Sequence, residues 1–188
     1  MQQTQIVKGI AGEILRGSDC YPFGICNFED LAELLPCRAA QRLPKAAKSV
    51  LVCLFPYYTG EHPERNISRY AMVTDYHLIA GEYLRRFCQR LCEEFEQNSF
   101  EPFTDNSPIP EVQAAFLAGL GQRGKNGLLL HPDFGSYVFI GEVVTDLALD
   151  ADKPVSPPEC IGCNRCLRAC PQGALHSDCL LYTSDAAD

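Results

Sequence analysis

The feature that most constrains this chain is a run of four cysteines, Cys160, Cys163, Cys166 and Cys170, the last followed by Pro171. This spacing is typical of a ferredoxin-type iron–sulfur site, in which the fourth cysteine ligates the other cluster of a two-cluster protein. Zinc also binds thiolates, but structural zinc sites usually combine two separated Cys-x-x-Cys pairs, and the sequence holds one compact run. The run therefore predicts an iron–sulfur cluster and electron transfer.

The composition indicates the cellular compartment of the protein. The 188 residues include 11 cysteines, of which four fall within eleven positions, as in a metal site, and seven are scattered. A secreted disulfide scaffold would usually be shorter and would spread its cysteines between loops. The N-terminus lacks the features of a secretion signal, and no stretch approaches about eighteen consecutive apolar residues. We therefore expect a cytoplasmic protein without a membrane span. The net charge of -8 disfavours nonspecific attraction to nucleic acid.

Hydrophobic periodicity predicts strands interleaved with helices, hence an α+β class. A first helix is expected over about residues 3–16, followed by a polar loop to about residue 44. Further elements are expected as strands over 49–55, 100–104, 128–130 and 137–144, and as helices over about 75–98 and 110–120. A proline-rich linker over 150–158 places a domain boundary there, giving domains 1–148 and 149–188.

Several short motifs occur in an order that resembles one family. They are Ser-Arg-Tyr at 68–70, Asp-Tyr-His at 75–77, Phe-Thr-Asp at 103–105, the glycine-rich segment 119–126 and the segment 134–142, followed by the cysteine run. Over about residues 43–175 this ordered set resembles the epoxyqueuosine reductases. Members of that family are cobalamin-dependent enzymes with two 4Fe–4S clusters. They reduce the epoxide of epoxyqueuosine at the wobble position of certain tRNAs.

The resemblance implies a mixed α/β cobalamin-binding domain over 1–148 and an incomplete ferredoxin-type 4Fe–4S domain over 149–188. It implies that Cys160, Cys163 and Cys166 hold one cluster and that Cys170 belongs to the second. It also implies a tRNA substrate and an external electron donor such as flavodoxin or ferredoxin. Electrons would pass from that donor through the clusters to cobalamin, which reduces the epoxide.

The resemblance also assigns roles to single residues. Asp105 matches the family's proton donor, and burial against the corrin would favour its protonated form. Ser68, Leu129 and Ile140 fall where the family lines its cobalamin pocket, and Arg38 matches an arginine near the cofactor. From the sequence alone, Asp105 is equally well explained as the start of an Asx-turn, and Leu129 and Ile140 as strand core residues.

The Asp-Tyr-His motif lies at the start of the predicted long helix. Asp75 is expected to cap that helix, because a short acidic side chain satisfies the free amide groups of a helix N-terminus. His77 is not expected to ligate cobalt, because the family reduces cobalt without a protein histidine ligand.

Two departures from the family affect the expected cofactor content. A second Cys-x-x-Cys-x-x-x-Cys-Pro run does not follow the first, and Cys179 comes too soon after Pro171 to replace it. The segment from Cys179 to Asp188 resembles a translated sequencing adapter. We therefore expect a C-terminally truncated member, which lacks ligands for the clusters and whose activity is in doubt.

Three other functions stay open at this point. The first is a related corrinoid iron–sulfur reductase that acts on another small molecule, similar to the reductive dehalogenases. The second is a noncatalytic iron–sulfur electron carrier, in which the larger domain only docks partners. The third is a zinc-stabilised structural module, which would be colourless.

Overall fold

A computed structural model describes residues 1–15, 21–156 and 160–175. Its centre is a four-stranded antiparallel sheet in the order β1-β2-β6-β3, and a two-stranded ribbon pairs β4 with β5. The strands are β1 (Phe23–Asn27), β2 (Ser49–Pro56), β3 (Phe100–Thr104), β4 (Gln122–Arg123), β5 (Leu129–Leu130) and β6 (Val138–Thr145). The helices are α1 (Gln2–Leu15), α2 (Tyr76–Glu94), α3 (Glu111–Leu117) and α4 (Arg165–Ala169).

Helices cover both faces of the sheet. Successive side chains of a strand point to opposite faces, so an apolar run such as β2 serves two cores at once. Leu51, Cys53 and Phe55 are buried against the layer that contains α1 and α2. Val50, Val52 and Leu54 are buried in a second core, to which α3 contributes. The continuous apolar sequence of β2 follows from this double coverage.

Most of the predicted elements are present, and the α+β class is confirmed. Strand β3 has the predicted bounds, and the predicted long helix ends earlier, at Glu94. The predicted polar loop before residue 44 was wrong in part, because it contains β1. That strand is short, and its Gly24 and Asn27 give no alternating pattern, so its pairing with β2 is what makes it a strand.

Part of the predicted linker contacts the first domain. The Asp152 carboxylate accepts a hydrogen bond from the backbone amide of Ile25 at 3.0 Å and pairs with Lys8 at 2.5 Å. Asp150 accepts a hydrogen bond from the hydroxyl of Thr4 at 2.8 Å. The domain boundary near residue 149 stays a prediction. Within the described residues, no helix is both long enough and apolar enough to cross a membrane.

The edge strand β1 generates a stability prediction. A methyl group at Gly24 would overlap the backbone carbonyl oxygen of Ala118, at the end of α3, which cannot rotate away as a flexible side chain can. We expect Gly24→Ala to lower the free energy of unfolding by about 1–3 kcal/mol, the usual cost of overpacking. Urea denaturation followed by circular dichroism measures this change.

The matched control is Gly9→Ala, at an exposed position inside α1 with no other atom within 4 Å of the added carbon. It should raise the free energy of unfolding by about 0.5–1 kcal/mol, because alanine loses less backbone freedom in a helix than glycine. Equal effects of the two substitutions would contradict the packing of β1 against α3.

Candidate functional site

Asp105 lies directly after β3, where the chain turns towards α3. Its φ angle of 63° is in the left-handed region, which residues other than glycine adopt rarely and often at functional sites. The side chain is 68% exposed, and its Oδ2 lies 3.5 Å from Nε2 of His77. Burial, followed by the charge of Asp105, raises the pKa of the nearby Tyr76 to about 12. The turn is closed by the backbone, because the Ser107 amide donates to the Asp105 carbonyl at 2.6 Å.

The partners of Asp105 come from the first turn of α2. The Asp75 carboxylate accepts a hydrogen bond from the His77 backbone amide at 3.0 Å, which confirms the predicted helix cap. The same oxygen lies 2.7 Å from Nδ1 of His77. This hydrogen bond is the main reason that the pKa of His77 is raised, and Asp105 raises it further. His77 therefore links two carboxylates through its two ring nitrogens.

Beside Asp105 lies a small, mostly apolar pocket of about 180 Å³. Leu129 from β5 and Ile140 from β6 line it together with Tyr76, Glu111 and Phe139. The ring of Tyr76 stacks on Phe139 with centroids 4.1 Å apart and an angle of 8° between the planes. Leu129 and Ile140, two residues predicted to line the cobalamin pocket, thus share a pocket with Tyr76, whose pKa is raised in part by the charge of Asp105.

This pocket fits one edge of a planar macrocycle and not the whole of cobalamin. Its wall is formed mainly by aliphatic and aromatic side chains, which suit an apolar ring surface. Leu128, also in the wall, is 47% exposed and presents further apolar surface.

Ser68 and Arg38 lie on the surface. Ser68 precedes a 3-10 turn over Arg69–Met72, and Arg38 begins another over Arg38–Arg42; both residues are exposed. In the described part of the chain, no hydrogen bond or ion pair joins either side chain to the pocket. Their proposed contacts with cobalamin stay predictions.

The cysteine run carries hydrogen-bond donors that suit a thiolate. Backbone amides of Gly162 and Lys125 donate to Cys160 and lower its pKa. Cys170 also has a lowered pKa, chiefly because the Ala174 backbone amide donates to its sulfur. Such N–H groups favour the anionic sulfur that binds iron.

The cysteine thiols are not gathered around one point. Over residues 1–15, 21–156 and 160–175, no three His, Cys, Asp or Glu side chains are close enough to hold a metal ion. The residue types and the amide donors fit an iron–sulfur cluster, and ligation requires the thiols to move closer together.

Sequence reasoning missed two glutamates, Glu111 in the wall of the pocket and Glu142 in the buried core. Glu142, in the middle of β6, is 0% exposed, and among the described residues neither carboxyl oxygen has a hydrogen-bond partner. Burial raises its pKa well above the usual value, the charge of Glu111 raises it further, and the nearby Ser107 hydroxyl lowers it slightly without meeting hydrogen-bond geometry. Burial, followed by the charge of Asp105, raises the pKa of Glu111 to about 7.

One signal in the sequence pointed to Glu142. It is the only charged residue in the apolar run Val138–Thr145. A lone carboxyl group in a strand that is buried on both faces is unusual, because an ionised group is costly to bury without a partner. Glu111 gave no such signal, since an acidic residue in the first turn of a helix is ordinary.

Two segments of the chain match known protein families. Residues 38–106 match the family described as epoxyqueuosine reductase QueG, DUF1730. Residues 154–176 match the 4Fe-4S binding domain. The first match includes Asp105 and the Asp-Tyr-His motif, and the second includes the whole cysteine run.

Similar proteins agree with these matches. An epoxyqueuosine reductase of Cyclobacterium marinum is 37% identical over 146 residues, which cover 75% of this chain and 47% of the relative. One from Synechocystis is 37% identical over 152 residues, covering 78% of this chain and 49% of the relative. The chain therefore spans about half the length of these two relatives.

Solved structures show the same fold. The epoxyqueuosine reductase of Streptococcus thermophilus superposes with a TM-score of 0.78 at 22% identity, over 95% of this chain and 55% of that one. The reductive dehalogenase NpRdhA superposes with a TM-score of 0.59 at 24% identity, over 83% of this chain and 23% of that one.

The matched domains define an iron–sulfur protein, and the 4Fe-4S match confirms the expected cluster cofactor. The fold is shared with reductive dehalogenases, and cobalamin in this chain stays a prediction. The family that residues 38–106 match, and the relatives at 37% identity, are epoxyqueuosine reductases.

The link between Asp75, His77 and Asp105 can be tested by titration. We expect the imidazole of His77 to titrate above its ordinary pKa of 6.5, because two carboxylates favour the charged ring. Asp75→Asn should lower that pKa, and Asp105→Asn should lower it by less, since Asp75 makes the stronger hydrogen bond. Histidine side-chain NMR over a pH series measures both shifts, with His62 as the internal control.

Proposed function

We propose that this chain provides the cobalamin-binding domain and the first cluster segment of an epoxyqueuosine reductase, which converts epoxyqueuosine in tRNA to queuosine. The observation that carries the proposal is the position of Asp105. Asp105 contacts His77, and its charge acts on Tyr76, which lines the pocket that contains Leu129 and Ile140. An acid fixed beside an apolar cofactor pocket is the arrangement that epoxide reduction requires.

Asp105 would act as the proton donor. Opening an epoxide leaves an alkoxide, and a carboxylic acid within reach supplies the proton that it needs. The carboxyl is exposed here, and a bound cofactor and substrate would cover it and favour its protonated form. A structure of the Bacillus subtilis epoxyqueuosine reductase shows a catalytic aspartate loop swung out of the active site, which supports an aspartate as the acid in this proposal.

The other residues would position and shield the reaction. When bound, cobalamin supplies a cobalt centre that reacts with the substrate, and the clusters supply electrons one at a time. Leu129 and Ile140 would contact the cofactor and exclude water, Ser68 and Arg38 would reach its periphery, and Tyr76 would orient the Asp105 carboxyl. Cys160, Cys163 and Cys166 would hold one cluster, and Cys170 would ligate the second.

The partners follow from the same assignment. An epoxyqueuosine reductase has been crystallised with an epoxyqueuosine-modified tRNA-Tyr stem loop, which supports a tRNA substrate for this chain. The electrons would come from an external donor such as flavodoxin or ferredoxin. A tRNA substrate places the proposed reaction in the cytoplasm.

A second function has one observation in its favour. The likeness to a reductive dehalogenase shows that the same fold serves the reduction of small molecules other than nucleosides. The higher TM-score and the family match favour epoxyqueuosine. Activity on a halogenated phenol, without activity on the tRNA stem loop, would reverse this preference.

The role of Asp105 is tested by substitution in the chain reconstituted anaerobically with iron, sulfide and cobalamin. We expect Asp105→Asn to slow the reduction of epoxyqueuosine in a tRNA stem loop by about 10²–10⁴-fold, the usual contribution of a general acid. Nucleoside chromatography measures the product. The matched control is Asp30→Asn, an exposed aspartate in a 3-10 turn, which should react at the rate of the parent chain.

Cluster binding is tested independently of the substrate. We expect Cys163→Ser to lose most of the bound iron, the acid-labile sulfide and the broad visible absorption, because one of three thiolates on the first cluster is removed. Cys92→Ser, which changes an exposed cysteine on α2, should lose none of them. A colourless chain that binds zinc in place of iron would contradict the iron–sulfur assignment.

A further inference from the structure

We propose that Arg69 is a positioning residue, whose guanidinium group clamps the loop between β2 and α2 (residues 57–75) to the start of β6. The clamp holds Ser68 in place for the cofactor. The proposal rests on the proposed function, because only that assignment brings Ser68 to the periphery of cobalamin. Arg69 follows Ser68 directly and begins the 3-10 turn Arg69–Met72.

The guanidinium of Arg69 contacts four groups at once. It donates one hydrogen bond to the Gly60 carbonyl oxygen at 2.5 Å and one to the Glu61 carboxylate at 2.7 Å. Its Cζ atom lies over two aromatic rings, 5.1 Å from the centroid of Tyr58 and 5.6 Å from that of Tyr137. A cation within about 6 Å of a ring centroid is attracted to the face of the ring. Only 16% of the Arg69 side chain is exposed, so little water competes for these contacts.

Tyr137, the residue directly before β6, connects the loop to the sheet. Within the described part of the chain, the hydrogen bonds of residues 58–72 stay inside that segment. The ring of Tyr58 lies 5.0 Å from the ring of Tyr137, and the Arg69 guanidinium lies over both. Arg69 is therefore the side chain that links the later part of the loop to its beginning and to the sheet.

The same aromatic residues reach the small pocket of about 180 Å³. The backbone amide of Tyr57 donates to the Tyr137 carbonyl at 3.0 Å, and the ring of Tyr57 lies 4.5 Å from the ring of Phe139. Phe139 lines the small pocket and stacks on Tyr76. Tyr57, Tyr76 and Phe139 also line a second cavity of about 300 Å³, to which residues 73 and 74 of the loop contribute. The conformation of the loop thus determines part of the wall beside the pocket.

Arginine suits this role for geometric reasons. Fixing an irregular loop costs conformational entropy, which specific contacts must offset. A guanidinium is planar and carries five N–H donors, so it can stack on rings and donate hydrogen bonds in its plane at the same time. The ammonium group of lysine is a compact point charge without a plane. Lysine at position 69 would therefore keep the charge and lose the joint contact with Gly60, Glu61 and the two rings.

The first test uses the full chain without cofactor. Arg65 lies in the exposed middle of the loop, and trypsin cleaves after it when the loop opens, because a protease needs a segment free of its folded contacts. We expect Arg69→Ala to speed this cleavage at least about tenfold, since two hydrogen bonds from a charged group are lost, and Arg69→Lys to speed it nearly as much. Arg86→Ala, at an exposed position of α2, is the matched control and should leave the rate unchanged. Mass spectrometry of the fragments over time measures the rate.

The cleavage rates decide whether the clamp exists. A parent-like rate in Arg69→Ala would overturn it, and so would a parent-like rate in Arg69→Lys, because charge alone would then be sufficient. If Arg69→Ala does not fold, Glu61→Ala replaces it, since that side chain is 77% exposed and lies outside the core. Cleavage about two- to threefold faster than in the parent then supports the clamp, and an unchanged rate overturns it.

The second test measures the consequence for the cofactor. Equilibrium dialysis of the full chain against hydroxocobalamin, followed by visible absorption, gives the dissociation constant. An open loop lowers the fraction of chains that are competent to bind, and the apparent dissociation constant rises in the same proportion. We expect Arg69→Ala and Arg69→Lys each to raise the constant at least about fivefold, and Arg86→Ala to leave it unchanged. Ser68→Ala should raise the constant without changing the cleavage after Arg65, because it removes a contact and not the clamp.

The two tests together separate the clamp from the proposed function. Faster cleavage in Arg69→Ala with an unchanged dissociation constant would overturn the positioning role and leave the proposed function intact. A parent chain that binds no hydroxocobalamin would overturn the cofactor assignment in the proposed function, and with it the cofactor role of the clamp, whatever the cleavage rates. Faster cleavage and weaker binding in both Arg69 variants, at the melting temperature of the parent chain, is the result that the clamp predicts.

Discussion

The pairing of β2 with β6 supports every other part of the structure. Eight residue pairs join Ser49–Pro56 to Val138–Thr145, and both strands lie between two buried cores. Apolar burial on both faces is the main stabilising contribution for such a pair. The register decides which residues of β6 face the pocket, since a shift by one residue would turn Ile140 and Glu142 to the opposite face.

The candidate site forms where three elements meet at one end of β6. Thr104 of β3 pairs with Gly141, so Asp105 emerges beside the strand that carries Ile140. Helix α2 packs on β3 and brings Tyr76 to the same place, where its ring stacks on Phe139. The glycine at position 141 allows α2 to lie close to the sheet, because a Cβ atom there would lie 2.8 Å from the Leu84 side chain. Close packing of α2 on the sheet is therefore what brings Tyr76 to the pocket.

Whether a feature of the fold or the site could be predicted from the sequence depends on how far apart in the chain the interacting residues lie. Local patterns predicted β3, the cap at Asp75 and the cysteine run, because each depends on neighbouring residues. The ordered motifs indicated the family. The strand β1, the burial of Glu142 and the meeting of Asp105 with His77 depend on contacts between distant segments. No local pattern contains that information, although a single glutamate in an apolar strand was a sign of a special environment.

The acidic residues also bear on how a polyanionic substrate approaches. Glu111 lines the pocket, and three other carboxyl groups belong to the same region of the fold, those of Asp75, Asp105 and Glu142. His77 is the basic group between Asp75 and Asp105. If all four were ionised, the pocket would repel the phosphates of the proposed tRNA substrate. Burial raises the pKa of Glu142 and of Glu111, which favours their neutral forms. The raised pKa of His77 favours its positive charge, which offsets part of the negative charge. The pocket thus carries protons without the full negative charge of four carboxylates, which suits an uncharged nucleoside better than a phosphate group.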